Sequence, residues 1–198
     1  MYSGKELVIN MINAAVLELL VSIATYYAIK ILLGVQKDKR LKLFCIILMK
    51  LFFLNLTIVF YKYTHILTQD ETNTITIING IYILIFFVLL KLLTSKPYLK
   101  IMLANFIVET FGIAFIVMPT VVITGGKNDM LPYFVKTNMD SKNIIIAIVA
   151  LLISIFEIFI MTTIIKKCFG NFSEKRIKYP IIWWMLLIIF DMYAFFVN

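Results

Sequence analysis

The chain has 198 residues, of which 62% are hydrophobic and only 15% charged, with a mean hydropathy of +0.98. Soluble domains run near ~45–50% apolar and ~25% charged, so there is too little polar surface here to cover a water-soluble core. The net charge of +8 would point a soluble protein towards nucleic acid. Here the basic residues fall in short stretches between apolar runs, which favours membrane topology and argues against a nucleic-acid partner.

Six apolar runs follow one another, over residues 7–33, 41–61, 75–93, 98–123, 144–165 and 180–197. A helix needs roughly 20 apolar residues to cross ~30 Å of hydrocarbon, and the last run is the shortest. None alternates with the two-residue period of a barrel strand. Lipid offers the backbone no hydrogen bonds, so each run is predicted to be a helix. The expected fold is all-α: a polytopic transmembrane helix bundle of about six spanning helices, a single domain over 1–198 with no soluble part. The first run lacks a basic leader, is too long for a signal peptide and has no A-x-A-like cleavage site after it, so it reads as a retained span.

The connections alternate in charge. Lys30, Lys37, Lys39, Arg40 and Lys42 follow the first run; Lys91, Lys96 and Lys100 the third; Lys166, Lys167, Lys175, Arg176 and Lys178 the fifth. These make 13 of the 19 basic residues, against five on the other side: Lys5, Lys62, Lys127, Lys136 and Lys142. The positive-inside rule puts the first set in the cytoplasm and both termini outside, as expected for a multi-pass protein of a bacterial cytoplasmic membrane. Tyr26, Tyr27, Tyr98, Tyr179, Trp183 and Trp184 fall near the predicted inner interface. Tyr61, Tyr63, Tyr133 and Tyr193 fall near the outer one, at the depths amphipathic rings prefer.

Pro119 is expected to kink or end the fourth helix. The longest outer segment, 124–142, combines the turn formers Gly125, Gly126, Asn128, Asp129 and Pro132 with the apolar residues Leu131, Tyr133, Phe134 and Val135. Such a patch packs on the bundle, lies on the membrane or touches a ligand; Tyr133 and Phe134 are the candidate ligand contacts.

Five ionisable residues lie inside predicted spans and away from their ends: Glu18, Lys50, Glu109, Glu157 and Asp191. A charge at that depth costs ~2.5–3.5 kcal/mol on insertion scales, so these groups should face the bundle interior and pair, protonate or reach water. Helical spacing supports this. Glu18 shares a stripe with Ala14, Ser22 and Thr25, Glu109 with Asn105 and Gly112, and Glu157 with Ala147, Ala150, Ser154 and Met161. Small and polar residues on one stripe let membrane helices approach closely. Lys50 is expected to pair with Glu18 or Glu109, which lie at similar depth. The five form a candidate ligand- or ion-binding centre, or the polar glue of the bundle; Glu157 and Asp191, off centre, are also placed to snorkel.

Motifs for chemistry are missing. The single histidine, His65, sits in a predicted loop, and no HExxH, CxxC, G-x-S-x-G or P-loop occurs. Cys45 and Cys168 lie far apart, at depths that do not converge with His65. No catalytic residue, metal site or cofactor is therefore assigned, and no enzymatic activity is expected.

The opening INMINAAVLELLVSIATYYAIKILL, the basic turn QKDKRLK and the glutamate in ANFIVETFGIAFIVMP resemble the N-terminal membrane region of Firmicute quorum-sensing histidine kinases of the accessory-gene-regulator type, without the kinase domain. The resemblance implies a membrane sensor that binds a secreted small peptide from outside. Two other functions fit the same residues. One is a small cation- or proton-coupled transporter using the intramembrane carboxylates. The other is a structural subunit of a larger membrane complex, with partner subunits or copies of itself around it.

Overall fold

The computed structural model describes residues 4–50, 69–126 and 131–186, and all regular structure among them is helical. Helix α1 spans Gly4–Leu33 and α2 begins at Arg40–Leu48, running on through Met49 and Lys50. Helix α3 covers Gln69–Thr94, α4 Tyr98–Gly112, α5 Met118–Thr124 and α6 Ser141–Phe169. Residues 180–186 are helical as well.

Among the described residues, three helices are long and apolar enough to cross a membrane: α1, the continuous Tyr98–Thr124 rod, and α6. The apolar part of α3 is shorter, Gly80–Thr94. Most of the fifth-to-last-expected span at 41–61 and of the final one at 180–197 lies outside the described residues, as do His65 and Asp191.

Pro119 does not end its helix. It sits in the first turn of α5, and the rod absorbs it through one turn of π-helix, Ile113–Val117. Proline has no N–H to give to the carbonyl four residues back, and its ring crowds that carbonyl. The wider turn relieves both, with the Met118 N–H reaching Ile113 O five residues back. Gly125, at φ +70°, then closes α5 in the left-handed conformation glycine adopts at no steric cost.

The helices carry apolar side chains outside as well as in the core. On α6, Ala147, Ala150, Ser154 and Met161 are buried, whereas Ile145, Leu152, Ile155, Phe156 and Phe159 point outward. The predicted stripes of α1 and α4 are buried in the same way, through Ala14, Ser22 and Thr25 and through Asn105 and Gly112. Small groups inside let backbones close up; large apolar groups outside suit hydrocarbon. Helix α1 is central, packed against α2, α4 and α6. Across α5 and α6 the buried hydroxyls of Thr120 and Ser154 share a 2.8 Å hydrogen bond.

The three basic connections meet at one end of the bundle. Gly34, at φ +65°, lies so near Ser173 that a Cβ there would sit 2.9 Å from Ser173 Oγ. Lys96 and Lys100 both donate to Ser173 O at 2.9 Å. At the opposite end the segment after α5 folds back over α1. Asn13, 0% exposed, grips one residue of it twice: Asn13 Nδ2 donates to Val135 O at 3.0 Å, and the Val135 N–H donates to Asn13 Oδ1 at 2.8 Å. Phe134 is thereby driven into the main core, at 3% exposure.

Asn13→Ala leaves both peptide groups of Val135 without these partners. We expect a loss of about 1–3 kcal/mol, read as a lower unfolding temperature in detergent and as faster amide exchange confined to residues 131–137. A variant that melts with the wild type would show that the clamp carries no weight.

Candidate functional site

Two arrangements on this scaffold bring candidate residues together. The first lies within the bundle. Lys50 on α2 points its ammonium at α4, with Nζ 3.1 Å from Glu109 Oε1 and 3.4 Å from Asn105 Oδ1. Asn105 Nδ2 donates to the same Glu109 oxygen at 2.8 Å. Below the ammonium lies the buried ring of Phe86 on α3, its centroid 4.5 Å away. Of the two acids expected to answer Lys50, the observed partner is Glu109. Spacing explains the match. Lys50 lies ten residues from the start of α2 and Glu109 eleven from the start of α4, so both sit about 15 Å in from the basic end.

The enclosure of the pair is uneven: the Lys50 side chain is 10% exposed and that of Glu109 55%. The lysine is held by an ion pair, an amide and an aromatic face, a set that offsets much of the cost of an ammonium out of water. Glu109 departs from the buried stripe on which spacing placed it, because its carboxylate turns sideways to reach α2. The π turn starts four residues beyond it, at Ile113.

The remaining intramembrane acids are placed separately. Glu18 is half-buried on α1, one turn before the buried Ser22, and Glu157 is half-buried on α6. Glu157 Oε2 is closed off and takes no hydrogen bond among the described residues.

The second arrangement is an open cleft of about 380 Å³ at the end away from the basic loops. Helix α1 supplies Glu6, Ile9 and Asn10, and the folded-back segment supplies Tyr133, Val135 and Lys136. Of the two aromatic candidates, Tyr133 is on the cleft wall. Phe134 is not; it is a core residue, and the alternation of a short extended segment turns the neighbours to opposite sides. The Tyr133 N–H is anchored on Thr124 Oγ1 at 3.1 Å, so the wall is fixed from α5 as well as from Asn13. Glu6, Asn10 and Lys136 were not among the sequence candidates. Asn10 and Asn13 carried a readable signal, two amides three apart in an apolar run and so on one helix face.

The fold thus defines a class: a protein that is helical throughout its regular structure among the described residues, with three helices there long and apolar enough to cross a membrane. No family model matches the chain, and no curated protein or solved structure matches it either. Its function has to be argued from these two arrangements.

The Lys50 contacts define a test. Because the ammonium is the more enclosed charge, Glu109→Gln, which leaves it without its counter-charge, should destabilise more in detergent unfolding than Lys50→Met, which removes it. The double variant should recover part of the loss, with a coupling of about 1–2 kcal/mol. Strictly additive effects would mean that the pair contributes no specific interaction.

Proposed function

We propose that the chain is a multi-pass protein of a bacterial cytoplasmic membrane that works as a non-enzymatic sensor or interaction module, taking a small peptide at the cleft of Tyr133. In this reading six helices span the bilayer, the basic connections face the cytoplasm, and the cleft and both termini face outward. The observation that carries it is the cleft itself. It falls within the range of small-ligand sites, and it presents an aromatic ring, apolar side chains and both signs of charge, from Glu6 and Lys136. That mixture suits a short peptide, which has apolar side chains, a backbone and charged termini. A wall anchored at Asn13 and Thr124 loses little freedom on binding, which favours affinity.

The test is hydrogen exchange on the chain in lipid nanodiscs, challenged with a pool of synthetic peptides of about five to twelve residues, with protection sought at residues 6–13 and 131–137. Tyr133→Ala and Lys136→Ala should each weaken the protecting peptide by about tenfold, the scale of a typical interface anchor. Phe134→Ala should instead cost about 3–5 kcal/mol of stability, because it empties a core site. Absence of protection by every peptide would remove the reading.

Glu109 favours a second reading. A half-open carboxylate paired to lysine inside the bundle, beside a π turn of the kind that often marks functional sites, suits a cation or proton pathway. Reconstituted vesicles decide it: proton flux above that of empty vesicles and abolished by Glu109→Gln supports the pathway, and flux equal to empty vesicles eliminates it.

A further inference from the structure

At the basic end, the turn after α3, the start of α4, the segment after α6 and the helical residues 180–186 surround a cleft of about 420 Å³. Its walls carry Lys100, Lys175 and Arg176 beside Tyr98, Ile177 and Trp184, and among the described residues no acidic side chain lines it. We propose that this cleft binds the phosphate of an anionic lipid headgroup, with Lys175 and Arg176 as the phosphate ligands and Trp184 and Tyr98 packed against the upper acyl chain.

Four observations converge on it. First, the cations are divided in their tasks. Lys100 is 6% exposed and its ammonium is engaged, donating to Ser173 O at 2.9 Å and to Lys175 O at 2.8 Å. It therefore fixes the backbone that carries Lys175 and Arg176, whose side chains are exposed at the cleft. Arginine offers a planar fork matched to phosphate, and lysine a point charge beside it. Second, the site is electrostatically unbalanced. Lys96 also donates to Ser173 O at 2.9 Å, so two ammoniums converge on one neutral oxygen, with no carboxylate on the cleft wall among the described residues. An incoming anion would relieve that repulsion.

Third, α4 begins here behind Pro97 with no side-chain cap, so the positive end of its dipole adds to the potential. Fourth, the ligand's apolar half is accommodated. Ile181, Ile182, Met185 and Leu186 are exposed around Trp184, and Leu99 and Leu103 form a small core with Phe172 and Ile177 behind the cleft. A free phosphate ion would use only the polar wall; a phospholipid uses both. Basic pockets between membrane helices at the cytoplasmic face are the setting in which anionic headgroups are held.

The two tryptophans of the chain, Trp183 and Trp184, make the test direct. In the full chain carrying Trp183→Phe, Trp184 fluorescence is titrated with lipid brominated high on the acyl chain, as phosphatidylglycerol or as phosphatidylcholine, in otherwise identical micelles. Phosphatidylglycerol should quench at a several-fold lower mole fraction. Each basic residue near an anionic headgroup is worth about fivefold in partition, so Lys175→Gln with Arg176→Gln should erase the preference. Lys37→Gln with Lys39→Gln removes the same charge from the same end outside the cleft, and should leave it in place. Equal quenching by the two lipids, or equal loss in both double variants, would overturn the site. Inorganic phosphate at matched ionic strength separates the two sources: no effect on quenching is expected, and displacement of the lipid at millimolar phosphate would assign the cleft to the free ion. The single variant Arg176→Gln, at an exposed position, gives the same readout with less risk to folding.

Discussion

A polar group that leaves water in this fold has only the rest of the protein to bond to. Hydrocarbon neither donates nor accepts, so an unanswered amide, hydroxyl or ammonium costs several kcal/mol there. The long-range polar contacts of the structure are answers to that condition. Asn13 meets the Val135 backbone, Thr120 meets Ser154, Lys50 meets Glu109 and Asn105, and Lys100 meets two carbonyls of the segment after α6. Because the exposed face can be as greasy as the core, apolar burial discriminates poorly between arrangements of these helices. The polar contacts, each needing a particular partner at a particular depth, supply the register that apolar packing leaves open.

What could be read in advance follows from the same condition. A span must be long and uninterrupted, so α1, the Tyr98–Thr124 rod and α6 stood out as apolar runs before any geometry was known. The inward stripes were legible too, since small and polar residues recurring at helical spacing have no reason to face lipid; Ala150, Ser154 and Met161 are buried as their spacing required. Pairing across helices was legible only in part. Depth along the helix narrowed the partners of Lys50 to two acids, and choosing between them needed the lateral order of α2, α3 and α4, which periodicity does not contain. The Asn13–Val135 clamp joins residues 122 positions apart, and nothing local to either announces the other. Phe134 packs on the bundle, one of the placements open to its segment, and the choice was hidden for the same reason. A phenylalanine in a polar-flanked loop looks available to a ligand until one knows that Asn13 draws its neighbour down onto the bundle.

The basic residues teach a related lesson. Counting them by connection indicates one face of the bundle, and the meeting of Gly34, Lys96 and Lys100 around Ser173 places those connections together. Counting treats every lysine as a solvated charge, however. Lys30 lies over the rings of Tyr26 and Tyr27, and Lys91 over Tyr98. Lys96 and Lys100 are tied to backbone carbonyls. These four serve as fasteners as well as topological signals, with their stems along apolar surface and their heads on aromatic faces or peptide oxygens.

The two ends are consequently fastened by different physics. The cleft end hangs on neutral hydrogen bonds, from an asparagine amide and a threonine hydroxyl, each worth about 0.5–1.5 kcal/mol; the basic end hangs on ammonium–carbonyl bonds, worth about 1.5–3 kcal/mol. The bonds that hold the cleft segment are therefore individually the weaker of the two sets. Two helical rods connect the ends. Helix α1 is uninterrupted from Glu6 in the cleft to Leu33, next to the Gly34 that lies against Ser173, and as a continuous rod it would carry a shift or rotation along its length. The Tyr98–Thr124 rod carries a π turn near its middle, where the backbone bonds are already wider and a bend can be absorbed. A displacement of the cleft would thus reach the basic loops through α1 and be damped in its neighbour, and the ion pair of Lys50 with Glu109 lies just on the basic side of that compliant turn, where the two responses part.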